Sequence, residues 1–295
     1  MKMAVLGFNR YGKAEVRVVR VSRGTGPDGN DELRDWNVSS SLSGNLDAVH
    51  LSGDNSAVLA TDTQKNTSYA FAKTLGVIEP EAYALALAEH FVSSQEAITR
   101  ARISVEDYGW QRIGTGGHSF VRSGQQVRTA TVVHDQDLGS TVVAGVADLV
   151  VMNTTNSEFW GFPRDRYTTL AETKDRILAT EVTAQWRFRS ATGSGRDYGQ
   201  VYARAGRTLL DTFAGTYSYS LQQMLYTIGE KILATVPELC EVRLALPNKH
   251  HFLVDLAPFG LTNDNEVYLA ADRPYGLIEG QVLADDAPDA GLAWT

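Results

Sequence analysis

The sequence is poor in cysteine, with Cys240 the only one among 295 residues. No internal disulfide can form, and zinc sites built from several thiolates are excluded. An excess of basic residues is also lacking, because 27 lysines and arginines are outnumbered by 35 aspartates and glutamates. The resulting net charge of −8 argues against nucleic acid as the main partner.

Long apolar runs are missing as well. No uninterrupted stretch approaches the roughly 20 residues that a helix needs to span a bilayer. The N-terminal segment MKMAVLGFNRYGK has neither a long apolar core nor a small-residue cleavage site, so it does not have the pattern of a secretory signal. These absences predict a soluble, cytoplasmic protein with no membrane partner.

The sequence contains no signature for a bound metal or nucleotide. Its histidines are scattered, and the adjacent pair His250 and His251 would point to opposite faces of a strand rather than to one metal. No Ser/His/Asp signature or dinucleotide fingerprint occurs. The segment GTGGHS, which begins at Gly114, lacks the phosphate-loop pattern and is predicted to be a hairpin turn.

The first half of the chain has the pattern strand, strand, helix, helix, strand, strand. Apolar residues make up 43% of the sequence, enough for a substantial core. Alternation and helical periodicity locate the elements. The predicted elements are strand 14–22 with a bulge at Val18–Val19, strand 32–44, helices 62–74 and 80–95, and a long hairpin that turns at residues 114–117.

The second half repeats this order. The predicted elements are strand 139–153, an irregular excursion, strand 180–189, helices 196–214 and 220–235, strands 237–246 and 250–256, and a short strand near EVYLA. In LPNKHHF, at residues 246–252, polar residues interrupt two apolar runs, and we interpret this as a break between strands. The acidic end, residues 284–295, is predicted to be a loose tail.

These patterns predict an α+β protein with antiparallel sheets and paired helices on one face. The two tandem units would span residues 1–135 and 136–295. An open four-stranded sheet in each unit leaves strand edges unpaired, and natural sheets protect such edges. Closure through association of subunits is the expected solution, so an oligomer is predicted.

Two helix starts share a capping-box pattern, Thr61-x-x-Gln64 and Ser220-x-x-Gln223. The structural role alone explains both. A helix start also presents free N–H donors and positive potential, which suit an anionic ligand. After Ser220, the Leu221 N–H and the Gln222 amide would face outward, and an amide can recognise the edge of a heterocycle.

Three further positions have ordinary structural interpretations when they are taken singly. Glu172 and Arg176 are four residues apart and would form a surface helix pair. Phe159 would be a core residue, and Lys13 a solvated side chain beside a turn.

Taken together, five segments resemble urate oxidase (uricase). They occur in order along nearly the whole chain, and together they are specific although each alone could arise by chance. The segments are RYGK (10–13), DNSAVLATDTQKNT (54–67), HSFVR (118–122), TNSEFWGFPRDRYTTLAETKDRIL (155–178) and LPNKHHF (246–252).

The resemblance implies the tunnelling fold (T-fold), built from two strand-strand-helix-helix-strand-strand units per chain. In that family, dimers close a β-barrel and two dimers stack into a homotetramer around a tunnel. It also implies oxidation of urate by dioxygen and water to 5-hydroxyisourate and hydrogen peroxide. The family uses neither a metal nor an organic cofactor, and its sites lie between subunits.

Roles carry over from the family position by position. Lys13, Thr61 and His250 resemble the proton-relay group. Arg176, Gln222 and the Leu221 backbone would hold urate in plane, with Phe159 stacked on its ring. Asp62 would orient the other side of the substrate, and Asn248 with Thr61 would hold dioxygen or water above it. His251, where the family often has an aromatic residue, would face away.

Two alternatives remain open. A pterin-type T-fold enzyme, such as a cyclohydrolase or synthase, would use histidine-bound zinc or a catalytic cysteine, and the scattered histidines with one cysteine speak against it. A non-catalytic purine-binding scaffold would keep the pocket without the chemistry. Retention of Lys13, Thr61 and His250 together argues against a scaffold.

Overall fold

The computed structural model describes residues 4–191 and 197–295. Its eight strands follow one another in chain order within one sheet, and the fold is α+β as predicted. The elements are β1 (Tyr11–Ser22), β2 (Glu32–Gly44), α1 (Asp47–Ser52), α2 (Thr61–Leu75), α3 (Pro80–Ser94), β3 (Ile98–Arg112), β4 (Phe120–Asp135), β5 (Gly139–Asn153), β6 (Leu178–Phe188), α4 (Tyr198–Gly215), α5 (Leu221–Thr235), β7 (Leu239–Leu253) and β8 (Tyr268–Leu283).

Most elements lie where the sequence predicts them, including the hairpin turn after Gly114 between β3 and β4. The short helix α1 was not predicted. The predicted helix 196–214 corresponds to α4, but its first position, residue 196, lies outside the described residues. The short strand expected near EVYLA is instead the long strand β8.

The chain divides into two compact units by its internal contacts. Unit 1 comprises residues 1–145, 187–202 and 288–295, and unit 2 comprises residues 146–186 and 203–287. The tandem division at 135/136 stays a prediction. No helix in the described ranges combines the length and apolar character that crossing a membrane requires.

The core of unit 1 lies between the helices α2 and α3 and one face of β1 to β4. Trp36 of β2 and Tyr83 of α3 are fully buried, and their ring centroids are 4.5 Å apart. The alternation along β2 puts Trp36, Val38, Ser40 and Leu42 on this helix-facing side, where all four are buried. Ser40 is therefore a hydroxyl in an otherwise apolar row.

A bulge in β1 decides where Lys13 points. Lys13 pairs with Ser40, and Val16 pairs with Val38, so three steps on β1 match two on β2. Because side chains alternate faces, the extra residue turns Lys13 onto the helix-facing side that Val16 also occupies. The bulge predicted at Val18–Val19 is therefore wrong in position: it lies between Lys13 and Val16, where Glu15 has a φ of 57°.

The core of unit 2 lies between α5 and strands β7 and β8. Val242, Leu244 and Leu246 of β7 are buried on the helix-facing side. Asn248 and His250 continue this row because they are two and four residues further along the same strand. The apolar row thus ends in two polar side chains.

The predicted break in LPNKHHF is wrong, because β7 runs unbroken from Leu239 to Leu253. The irregularity lies in its partner. Asn248 pairs with Gly276 and His250 with Ala271, so two steps on β7 match five on β8. The excess residues bulge out of β8, while β7 keeps its alternation and holds Asn248 and His250 on one face.

The predicted loose tail is also wrong. In unit 1, the Arg187 guanidinium donates to the carbonyls of Pro288, at 2.8 Å, and Asp289, at 3.3 Å. Arg102 Nε donates to a carbonyl oxygen of Thr295 at 2.9 Å. Arginines distant in sequence therefore hold the final segment, which its acidic composition did not reveal.

Candidate functional site

Unit 1 carries three of the predicted site residues. Lys13 is half-buried on β1, and Thr61 and Asp62 are exposed in the first turn of α2. The helix begins at Thr61 itself, with Ala60 as the N-cap residue and no side-chain cap. The Thr61 hydroxyl therefore stands at a helix start without capping it.

The capping box predicted at Thr61-x-x-Gln64 is wrong. Gln64 is fully buried and turns inward, where its Oε1 accepts from the Ser40 hydroxyl at 2.7 Å. Its Nε2 donates to the Leu59 carbonyl at 3.2 Å. The Gln64 amide therefore bonds Ser40 and Leu59 and does not return to the N-cap residue, so the first turn of α2 has no side-chain cap.

Asp62 lies in a field of positive charge. The Lys65 ammonium bonds its carboxylate and, with Asn66 Nδ2 at 3.0 Å and the more distant charge of Lys13, lowers the pKa of Asp62. The carboxylate is thus held ionised on the exposed face of α2. The electrostatic effect of Lys13 on Asp62 places these two side chains in one neighbourhood.

Unit 2 carries the other six predicted site residues. At the start of α5, the Ser220 hydroxyl accepts from the Gln223 N–H at 3.1 Å, which confirms the cap. The Gln223 side chain reaches back to the Tyr219 N–H at 3.3 Å, one residue before the position that a standard box would use. Leu221 is buried and Gln222 is exposed.

Backbone bridges connect Phe159 and Arg176 to the approach to α5. Phe159 and Thr173 exchange two backbone hydrogen bonds of 2.8 and 3.0 Å, and Arg176 N–H donates to the Ser157 carbonyl at 2.9 Å. Ser157 in turn bridges Ser218, two residues before the cap. One set of backbone bonds therefore orders Phe159, Arg176 and the first turn of α5.

Two structural interpretations of this region are wrong. Residues 171–177 are not helical, and the Glu172 carboxylate accepts from the Gly161 N–H at 2.9 Å instead of pairing with Arg176. Phe159 is only half-buried rather than a core residue. The Arg176 guanidinium is thus not engaged by Glu172, and part of the Phe159 ring is open to a ligand.

Arg176 is poorly satisfied by the protein. Its guanidinium carbon lies 5.2 Å from the centroid of the Phe159 ring. Its Nε is buried and has no hydrogen-bond partner among the described residues, and burial lowers the pKa of Arg176. A half-buried cation with a buried, unused donor favours an anionic ligand.

Asn248 and His250 are half-buried. Burial, the charge of Arg176 and the neighbouring His251 together lower the pKa of His250. The His250 imidazole is therefore kept neutral near pH 7, with one ring nitrogen unprotonated. His251 lies on the other strand face, where its Nδ1 is 3.0 Å from the Lys249 carbonyl.

Sequence reasoning missed the residues that brace these positions. Glu158, nearly buried, accepts from Trp160 Nε1 at 2.7 Å and from the Tyr217 hydroxyl at 2.8 Å, which fixes the segment that carries Phe159. In unit 1, Ser40 and Gln64 hold the backbone near Lys13 and near Thr61 through hydrogen bonds to Lys13 N–H and to the Leu59 carbonyl. Only Ser40 had a signal in the sequence, as a polar residue in the core-facing row of β2.

Within the described ranges, no three His, Cys, Asp or Glu side chains are grouped as metal ligands. The side chains at the predicted positions have three kinds of chemical group. Arg176 can bind an anion, the half-buried ring of Phe159 can stack on a flat ligand, and Lys13, Thr61 and His250 each carry a group that can donate or accept a proton.

Comparison with known proteins shows which family this chain resembles. The uricase family model matches residues 9–133 and 142–279. Uricase from Arthrobacter globiformis is 49% identical over 291 residues, which cover 99% of this chain and 94% of that protein. Uricase from Dictyostelium discoideum is 38% identical over 286 residues, which cover 95% of this chain and 98% of that protein.

The structural comparison agrees with the sequence comparison. The crystal structure of the Arthrobacter globiformis uricase superposes with a TM-score of 0.93 at 46% identity, over 99% of both chains. This likeness confirms the predicted T-fold architecture. The chain therefore belongs to the uricase family, the urate oxidases.

Proposed function

We propose that this chain oxidises urate with dioxygen and water to 5-hydroxyisourate and hydrogen peroxide, using neither a metal nor an organic cofactor. Family membership supports the substrate. The observation that carries the proposal is Arg176, a half-buried side chain beside the half-buried ring of Phe159, whose buried Nε is unpartnered among the described residues. A flat purine anion matches both features.

Arg176, Gln222 and the Leu221 N–H bind the edges of urate. The first turn of α5 is positioned for this role by the Ser220 cap, and its N–H groups add positive potential. Phe159 stacks on the ring, while Asp62 orients the opposite edge. These contacts stabilise the additional negative charge that develops when urate loses a second proton.

Lys13, Thr61 and His250 form the proton relay, and Asn248 with Thr61 holds dioxygen or water above the purine plane. The neutral His250 supports this assignment, since an imidazole whose pKa is lowered has an unprotonated ring nitrogen at neutral pH, which is the form that can act as an acceptor in a proton relay. Holding the two reactants face to face turns an encounter into a positioned reaction.

Each site is completed between subunits of a homotetramer, as in the family. Lys13, Thr61 and Asp62 of one subunit face the unit 2 residues of a neighbour. The division of the nine site residues between the two compact units supports this arrangement, because each unit carries only part of the machinery.

The first test is loss of urate absorbance with release of peroxide by metal-stripped protein. Wild type should turn over, whereas Lys13→Met should lose about 100-fold or more in kcat, the range for a proton-transfer group, with little change in urate Kd. Lys73→Met, an exposed lysine in the last turn of α2, is the matched control and should behave as wild type. Dependence on an added metal would contradict the proposal.

The second test concerns sharing between subunits. Lys13→Met and Arg176→Ala chains are each expected to be nearly inactive. After unfolding and refolding together in equal amounts, about a quarter of wild-type activity should return, because half of random pairs are mixed and each mixed pair regains one intact site. No recovery would show that a site does not take residues from two subunits.

A further inference from the structure

The buried face of α2 is unusual for a helix that packs on a sheet. Its buried residues are Gln64, Ser68 and Ala72, spaced four apart, so two of the three are polar. A glutamine buried at the first turn loses hydration and must recover it through hydrogen bonds. The two hydrogen-bond partners of its side chain therefore show what the buried glutamine holds in place.

The hydrogen bonds of Gln64 belong to a closed ring. Lys13 N–H donates to Ser40 Oγ at 3.4 Å, and the Ser40 hydroxyl donates to Gln64 Oε1 at 2.7 Å. Gln64 Nε2 donates to the Leu59 carbonyl at 3.2 Å. Leu59 N–H donates to the Tyr11 hydroxyl at 2.9 Å, which returns the ring to β1.

The donor and acceptor roles in this ring are determined. The Leu59 carbonyl can only accept, so it must face the Gln64 NH₂ group. Gln64 Oε1 is then left for the Ser40 hydroxyl, whose oxygen already accepts from Lys13. Every atom of the Gln64 amide has a defined partner, and rotation of the amide would break both bonds.

The ring joins the two parts of unit 1 that carry proposed catalytic groups. One side is β1, where Tyr11 precedes Lys13 by two residues. The other side is Leu59, which precedes Thr61 by two residues and has both its N–H and its carbonyl held. The separation between the backbones of Lys13 and Thr61 is thus set by four hydrogen bonds.

The residues that lead into α2 have an open cleft on the side away from the ring. Residues 56–60 line an open cleft of about 590 Å³, opposite residues 95–97. The ring therefore restrains the residues that lead into α2 from the β1 side, together with the backbone bonds of Val58 N–H to the Asn55 carbonyl and of Gln64 N–H to the Ala60 carbonyl.

We propose that Gln64 is a positioning residue for urate oxidation, which fixes the Thr61 segment against the Lys13 strand through Ser40 and Leu59. The inference rests on the proposed roles of Lys13 and Thr61. Gln64 itself is buried and touches no substrate. A displacement on the order of 1 Å between positioned groups can cost roughly 10²-fold in rate.

The test replaces Gln64 with leucine, which has similar bulk and cannot bond Ser40 or Leu59. We expect kcat to fall by about tenfold or more through misplacement, while urate Kd changes less than about threefold because all the proposed binding groups except Asp62 lie in unit 2. Ser68→Ala is the matched control. It is buried one turn further along the same face, and its hydroxyl bonds only the Gln64 backbone carbonyl among the described residues.

Three further variants test whether the hydrogen-bonded ring, rather than the stability of the fold, accounts for the effect. Ser40→Thr keeps the hydroxyl and should retain most of the wild-type kcat. Ser40→Ala should lower kcat, and the double variant Ser40→Ala/Gln64→Leu should lose no more than the worse single variant, since both break one ring. Additive losses, or a kcat within twofold of wild type for Gln64→Leu, would overturn the proposal.

A readout that needs no turnover separates this inference from the proposed function. Hydrogen–deuterium exchange at residues 11–13 and 57–61 should accelerate in Gln64→Leu, while exchange in α3 should not change. If wild type fails to oxidise urate, the proposed function is wrong and exchange still tests the ring. Unchanged exchange at residues 57–61 would overturn the positioning role whatever the activity.

Discussion

The first turns of α2 and α5 carry the same pattern and use it differently. In α5, Ser220 caps the helix and Gln223 reaches back to the preceding backbone. In α2, the cap position is Ala60, Thr61 is already helical, and Gln64 turns into the core. The comparison teaches that one sequence pattern can cap a helix start, as in α5, or leave the first hydroxyl uncommitted and exposed while its glutamine enters the core, as in α2.

Replacing Thr61 should have the largest effect in this comparison. Thr61→Ala should lower kcat by about 100-fold or more, as for loss of a proton-transfer group. The free energy of unfolding should change by less than about 0.5 kcal/mol, since this exposed hydroxyl caps nothing. Steady-state kinetics and urea denaturation check both parts. A clear loss of stability would mean that Thr61 does act as a cap.

Replacing Ser220 should give the opposite result. Ser220→Ala should lower the free energy of unfolding by about 1 kcal/mol, the usual cost of a lost cap. Urate Kd should rise because the Leu221 N–H and Gln222 lie in the loosened turn, while kcat at saturating urate should stay near wild type. Denaturation and equilibrium binding measure these effects, and Ser220→Thr should restore both. Equal damage to kcat would remove the contrast between the two helix starts.

The smallest effect should come from His251. Because His251 contributes to lowering the pKa of His250, His251→Asn should raise that pKa toward the ordinary histidine value. His250 would then take up its proton at higher pH as acid is added, and the acid limb of kcat/KM should move upward. An NMR titration of the His250 ring follows the change directly, with His134→Asn as control. A downward shift would contradict the electrostatic account.

Much of the fold could be predicted because periodicity reports burial along single elements. The bounds of β2 and β5 agree with the prediction at both ends. What could not be predicted depends on pairing between distant segments. The bulge that turns Lys13 is defined only by its register against β2, and the polar run at Asn248 is explained only by the excess residues in β8.

The site shows the same limit. The resemblance to a family identified which residues to expect in the site, and the side-chain types indicated which chemical roles they could have. The partners that hold them did not follow from the sequence, because Ser40, Gln64 and Glu158 act through contacts between separate elements. The mistaken capping box at Gln64 is the clearest case, since local hydrogen bonds lost to more distant partners in a buried environment.

The final segment of the chain has a consequence for dissecting the protein. Unit 1 is assembled from residues 1–145, 187–202 and 288–295, with Arg102 and Arg187 holding the last of these stretches. A single scission of the polypeptide, by protease or by gene splitting, therefore cannot liberate unit 1 whole. Fragment complementation has to supply residues 288–295 separately, and a circular permutant that joins residue 295 to residue 1 would keep them covalently attached to unit 1.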